Sequence, residues 1–161
     1  MELWDAYDRD FKKIQGVTLV RGEVIPEGFF HLVCEIIVRH IDGSYLIMQR
    51  DKRKHLGGMW EATAGGSALQ GEEPAICAAR ELYEETGITS NNLVEKGGPP
   101  PPSHKSFYVE YLCITDVDED SVVLQEGETS DYKWITADEL LKLSRDELAT
   151  QRILNFVEEL N

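Results

Sequence analysis

The chain has 161 residues, 42% of them hydrophobic and 29% charged, with 30 acidic side chains against 16 basic ones and a formal net charge of −14. That size and mix predict one globular domain over residues 1–161, and no apolar run approaches the roughly 20 residues a membrane span needs. The acid excess argues against long nucleic acids and anionic lipid, whose binding depends on neutralising phosphates. The first residues lack the basic region and apolar stretch of a leader. Cys34, Cys77 and Cys113 have apolar neighbours and no C-x-x-C spacing, so they read as buried, reduced thiols in a cytoplasmic protein.

In chain order, residues 32–38 (LVCEIIV) form a β-branched apolar run that ends at Asp42-Gly43-Ser44, a hairpin signal, and residues 45–48 return as its partner strand. A basic island covers residues 50–55, and residues 60–63 read as a short strand entering Gly65-Gly66. Residues 74–86 are predicted to be helical, with Pro74 in the first turn and Gly87 as the stop. The four prolines within residues 96–103 predict a stiff extended loop. Residues 107–114 read as a strong strand, 116–120 as an acidic loop, and 122–124 and 132–135 as short strands. Thr136/Glu139 and Ser144/Glu147 both match a capping box, so a helix is expected from each, the last carrying Leu148, Ala149, Ile153, Phe156, Val157 and Leu160 at helical spacing. Strands with few, separated helices predict an α/β domain in which a mixed sheet is covered on both faces.

Within residues 74–86 the carboxylates of Glu81, Glu84 and Glu85 share one arc of about 100°. Leu82, Ala75, Thr86, Ala79, Tyr83 and Ile76 fall opposite. The expectation is that this apolar side packs on the sheet and the acidic side faces away from it. Cys77 and Ala78, both small, would leave room above the glutamates. Carboxylates at such spacings repel by some tenths of a kcal/mol per pair. A helix gains from the clustering when a cation fills it, and hard divalent ions take oxygen ligands. Seen alone, the same pattern also describes a solvated acidic face.

The wider pattern is Gly66, then Glu72, then Arg80-Glu81-Leu82-x-Glu84-Glu85-x-Gly87-Ile88. It resembles the signature of the Nudix hydrolase superfamily at every defining position. The resemblance implies a Nudix-type α/β/α sandwich with a mixed β-sheet. It also implies Mg²⁺-dependent hydrolysis of a diphosphate linkage in a small nucleoside-diphosphate-X substrate, with Mn²⁺ as the alternative ion. Glu81 and Glu85 would be the principal metal ligands, Glu84 a further one, and the bare carbonyl of Gly65 another. Gly66 and Gly87 would shape the motif, and Arg80 would clamp Glu72. The general base often lies outside the motif helix in this superfamily. Glu128, just ahead of the Tyr132–Ile135 segment, is the candidate, with Glu126 nearby and Glu81 itself as alternatives. Many relatives form dimers, so a homodimer stays open.

Residues 3–8 (LWDAYD), 31–33 (HLV) and 58–61 (GMWE) resemble the Nudix branch close to isopentenyl-diphosphate isomerase. The isomerase needs a cysteine at the end of the strand before the motif, and histidines for a second metal. Residues 62–66 (ATAGG) contain neither, which weighs against isomerisation. A ligand-sensing Nudix domain without turnover is the other alternative, and the intact Glu81, Glu84 and Glu85 argue against it.

Substrate contacts are expected from Arg50, Lys52 and Arg53, a local positive patch suited to phosphates. Glu35 and Glu110 each interrupt an apolar strand, which is costly unless the carboxylate is paired or faces water or a cleft. They are assigned to the substrate cavity. Trp60, Phe107 and Tyr108 could stack on a base, though aromatics of this kind more often build core.

Overall fold

A computed structural model describes residues 1–96 and 102–160. Residues 97–101, most of the proline-rich loop, lie outside the described residues. Among the described residues nine strands and three α-helices follow the order β1 (Leu3–Tyr7), β2 (Lys13–Val20), β3 (His31–His40), β4 (Tyr45–Arg50), β5 (Trp60–Glu61), β6 (Thr63–Ser67), α1 (Pro74–Thr86), β7 (Val94–Glu95), β8 (Ser106–Thr115), β9 (Thr129–Ile135), α2 (Ala137–Leu141) and α3 (Arg152–Leu160).

The main sheet has seven strands in the path β5-β4-β3-β8-β7, with β6 joined to β3 and β9 to β4. β3 and β8 run parallel, and the other pairs are antiparallel, so the sheet is mixed. Its strands alternate between two cores. Cys34, Ile36, Leu46 and Met48 face Cys77, Ala78 and Leu82 of α1. Ile37, Tyr45, Ile47 and Leu112 face Leu140 of α2 and Ile153, Phe156 and Val157 of α3. Burial on both faces is why β3 reads as a continuous apolar run rather than an alternating one. Each fully buried large side chain contributes roughly 1.5–3 kcal/mol. All three cysteines are buried and free. Among the described residues no helix is long and apolar enough to cross a membrane.

Two local expectations change. Residues 122–124 form no strand; Val122 is buried beside a short 3-10 turn, and the Val123 N–H donates to Thr86 O at 2.9 Å. The capping box at Thr136/Glu139 opens α2 as expected. At Ser144/Glu147 the Ser144 N–H does donate to Glu147 Oε1 at 3.3 Å, but no helix follows. The backbone is drawn into a bridge instead, with Trp60 N–H donating to Glu147 O at 2.7 Å and Ala149 N–H to Trp60 O at 2.8 Å. α3 therefore starts at Arg152.

At the start of the chain β1 and β2 form a separate antiparallel hairpin. Trp4 stacks on His31 with ring centroids 4.3 Å apart, and Tyr7 and Phe30 exchange backbone hydrogen bonds of 2.8 and 2.9 Å. Burial holds His31 below the ordinary histidine value, against the opposing pull of the Lys105 carbonyl. The unfolded chain then takes up the proton first as pH falls, so this contribution is present above about pH 6.5 and lost below it. The melting temperature is expected to drop between pH 7 and 5 by more in the native chain than in His31→Gln. Parallel pH profiles for the two would refute the assignment.

Candidate active site

Two glycines bring β6 into the site. Gly65 pairs with Glu35 and Gly66 with Cys34 across the β3–β6 ladder. A Cβ on Gly65 would lie 2.2 Å from the Cys34 carbonyl oxygen, and one on Gly66 would lie 2.6 Å from the Glu81 carboxylate. Only bare backbone permits either approach. The loop after β6 leads into α1, where Pro74 occupies the first turn and Gly87 closes the helix at φ 75°, its N–H donating to Tyr83 O.

The helix is rotated from the expected setting. Cys77, Ala78, Glu81, Leu82 and Thr86 are its buried residues, whereas Ile76 and Tyr83 are 61% and 58% exposed. Glu81 and Glu85 of the acidic arc therefore turn toward the sheet, and only Glu84 stays exposed among the three. Glu81 is 9% exposed and sits over Gly66, and Glu85 accepts a hydrogen bond from the Gly65 N–H at 3.3 Å. The strand beneath supplies glycines there, so the carboxylates fill space that larger side chains would otherwise occupy.

Arg80 is bound on three sides. Its Nε and Nη2 donate to Glu72 at 2.8 and 2.9 Å, its Nη1 to Glu81 at 2.8 Å and to Glu84 at 3.2 Å, and Nη2 also reaches Ser67 O at 3.1 Å. Glu72 also caps the loop by accepting from the Leu69 N–H at 2.6 Å. Burial raises the Glu81 carboxyl, with Arg80 pulling the other way. Burial, then the charges of Glu81 and Glu61, push Glu85 up to about 8. Like-charged carboxylates, Glu81 buried and Glu85 partly buried, are thus held together.

These groups line a cavity of about 430 Å³. Of the residues singled out from sequence, Arg50, Glu35, Gly65, Gly66, Arg80, Glu81, Glu84, Glu85 and Glu128 line it. Lys52, Arg53, Glu110 and Glu126 are not among its lining residues, and Lys52, Arg53 and Glu126 are exposed. Arg53 instead binds Asp51 at 2.8 and 3.0 Å. Glu110 stands opposite Glu35 in the β3–β8 register. In place of Lys52 and Arg53 the basic island turns Lys54 into the cleft, where it pairs with Glu128, while Arg50 pairs with Glu61.

Lys54, Glu61, Gln125, Glu2 and Arg21, none of them expected from the sequence, also line the cavity. Glu61 had a signal: Glu61, Thr63 and Gly65 follow the two-residue period of one strand face, and all three line the cleft. Among the described residues no aromatic side chain lines it. Phe107 is buried in the core, and Trp60 lies under Lys133, with Nζ 4.5 Å from the ring centroid. His40, Asp42 and Glu119, which approach one another near the β3–β4 turn, lie outside the lining, and Ser44 donors already engage the Asp42 and Glu119 oxygens.

Similar proteins share this framework. The NUDIX domain profile matches residues 30–157. An uncharacterized Nudix hydrolase of Listeria monocytogenes is 33% identical over 145 residues, covering 87% of this chain and 83% of that one. The isopentenyl-diphosphate Delta-isomerase of Streptomyces coelicolor is 34% identical over 87 residues, covering 51% of this chain and 44% of that one. The crystal structure of DR0079 from Deinococcus radiodurans superposes with a TM-score of 0.77 over 98% of both chains at 18% identity.

Proposed function

The chain belongs to the Nudix family and is a Nudix hydrolase, and from that premise we propose that it cleaves a diphosphate linkage in a small nucleoside-diphosphate-X substrate with the help of Mg²⁺. The observation that carries this reading is the pair of carboxylates, Glu81 buried and Glu85 partly buried, against Gly65 and Gly66 in a cavity lined by Arg50, Lys54 and Arg80.

The donor set fits a hard divalent ion. It offers oxygen ligands only, and the raised carboxyl of Glu85 marks a place where negative charge lacks compensation. Glu81 and Glu85 would hold the ion, with Glu84 and the Gly65 carbonyl as further oxygens and Mn²⁺ as a substitute. Bound there, it would neutralise phosphate oxygens and lower the pKa of an attacking water. The chain's own groups do the rest. Arg80 holds Glu72, Glu81 and Glu84 in one hydrogen-bonded unit, so the carboxylates are set before substrate arrives. Arg50 and Lys54 offer cationic donors to the phosphates. Glu128, at the cavity wall, accepts the proton of the attacking water.

Purified protein screened against diphosphate compounds is expected to release a nucleoside monophosphate only when Mg²⁺ or Mn²⁺ is present, and a chelator should abolish release. Tight ligand uptake without cleavage at any Mg²⁺ level would replace this reading with a ligand-sensing one. Isomerisation of an allylic diphosphate without phosphate-linkage cleavage would replace it with the isomerase reading, although residues 62–66 hold no cysteine.

A further inference from the structure

One wall of the cleft comes from residues that precede the family match. Glu2 and Arg21, at the paired ends of the β1–β2 hairpin, line the same cavity as Arg80 and Glu81. The hairpin is fastened to the loop between β6 and α1. The Gln70 N–H donates to Leu3 O at 2.8 Å, the Gln70 side chain to Thr18 Oγ1 at 2.8 Å, and the Gly71 N–H to Asp5 Oδ2 at 2.8 Å. Lys13 also pairs with Asp5 at 3.1 Å. The wall therefore has a set position relative to the motif helix.

The cleft cations differ in how firmly they are held. Arg50, Lys54 and Arg80 have side chains 16%, 30% and 24% exposed, each against cleft carboxylates. The Arg21 side chain is 66% exposed, and its guanidinium meets Glu2 at 3.1 Å through Nη1. An ion pair this exposed contributes little. Glu2 has a second partner, because its other oxygen accepts from Trp4 Nε1 at 2.7 Å. A guanidinium fork matches phosphate oxygens in a bidentate way that an exposed carboxylate contact at one nitrogen does not use. With no aromatic among the described lining residues, recognition inside this cavity works through charge rather than stacking.

We propose that Arg21 leaves Glu2 to bind a phosphate group of the substrate beyond the scissile diphosphate, so that the N-terminal hairpin favours substrates with a phosphorylated X over those with a neutral one. This rests on reading the cleft as a diphosphate site. The test is calorimetric titration of the full chain with inorganic triphosphate and inorganic diphosphate at fixed Mg²⁺. In Arg21→Gln the ratio of triphosphate to diphosphate affinity is expected to fall about tenfold, and Arg21→Lys should recover part of it. Glu2→Gln frees Arg21, so triphosphate affinity should rise about threefold, and that rise should vanish in the double variant with Arg21→Gln. An unchanged ratio in Arg21→Gln, or an equal gain from Glu2→Gln in both backgrounds, overturns the proposal. Binding ratios are read whether or not cleavage occurs. Loss of the diphosphatase reading therefore shows in the substrate screen, and loss of the Arg21 reading shows here.

Discussion

Glu85→Gln is expected to lower turnover by roughly 10³-fold while the protein stays folded, the scale on which removing a preorganised charged group acts in a water-poor site. The substitution keeps the shape of the side chain, and its amide can still accept from the Gly65 N–H, the hydrogen bond that Glu85 makes among the described residues. What it removes is charge. Glu85 lies within the field of Glu81 and Glu61, and burial adds to the cost of ionising it. In chelator-treated protein that charge opposes folding, so Glu85→Gln should melt no lower than the native chain. Added Mg²⁺ should raise the melting temperature of the native chain and leave that of Glu85→Gln nearly unmoved. Full turnover in the variant, or an equal Mg²⁺ shift in both proteins, would sink the assignment of Glu85 to the metal.

The boundaries of the motif helix were legible because local chemistry sets them. Pro74 tolerates the missing donor of the first turn, and Gly87 takes the left-handed closing conformation. The side of that helix that packs was not legible. A helical projection ranks residues by polarity, and it puts Tyr83 and Ile76 on the sheet. The surface under α1, however, includes two glycines, where carboxylates fit and large apolar groups have nothing to fill. The repeated capping-box pattern makes the same point. Thr136/Glu139 and Ser144/Glu147 look alike locally, yet only the first opens a helix, because Trp60 captures the backbone on both sides of Leu148. Lys54 rather than Lys52 or Arg53 reaches the cleft for a similar reason: Asp51 holds Arg53 outward, and Glu128, more than 70 residues away along the chain, meets Lys54. Arg21 had no local signal at all, since only docking of the hairpin on the motif loop brings it near Arg80.

Gly65→Ala and Gly66→Ala are adjacent substitutions expected to fail in different ways. At Gly65 the added Cβ would lie 2.2 Å from the Cys34 carbonyl oxygen and 3.0 Å from the Glu35 Cα. Both are backbone atoms of β3, the strand that joins β4, β6 and β8, so β6 has to part from the sheet to admit the methyl group. A loss of about 3–5 kcal/mol is expected, seen as a fall in melting temperature of roughly 10 °C. At Gly66 the added Cβ would meet the Cδ and both oxygens of Glu81 at 2.6–2.7 Å. Those atoms are the mobile end of a side chain, so the carboxylate moves and the backbone holds. The expected result is a nearly native melting temperature with turnover lowered by about 10²-fold or more, the scale at which a misplaced reacting group costs rate. Measuring both quantities on both variants separates the architectural glycine from the one that seats Glu81. If Gly66→Ala kept native turnover, the seat of Glu81 against β6 would have no part in the reaction, and the metal assignment would have to move to Glu84 and Glu85.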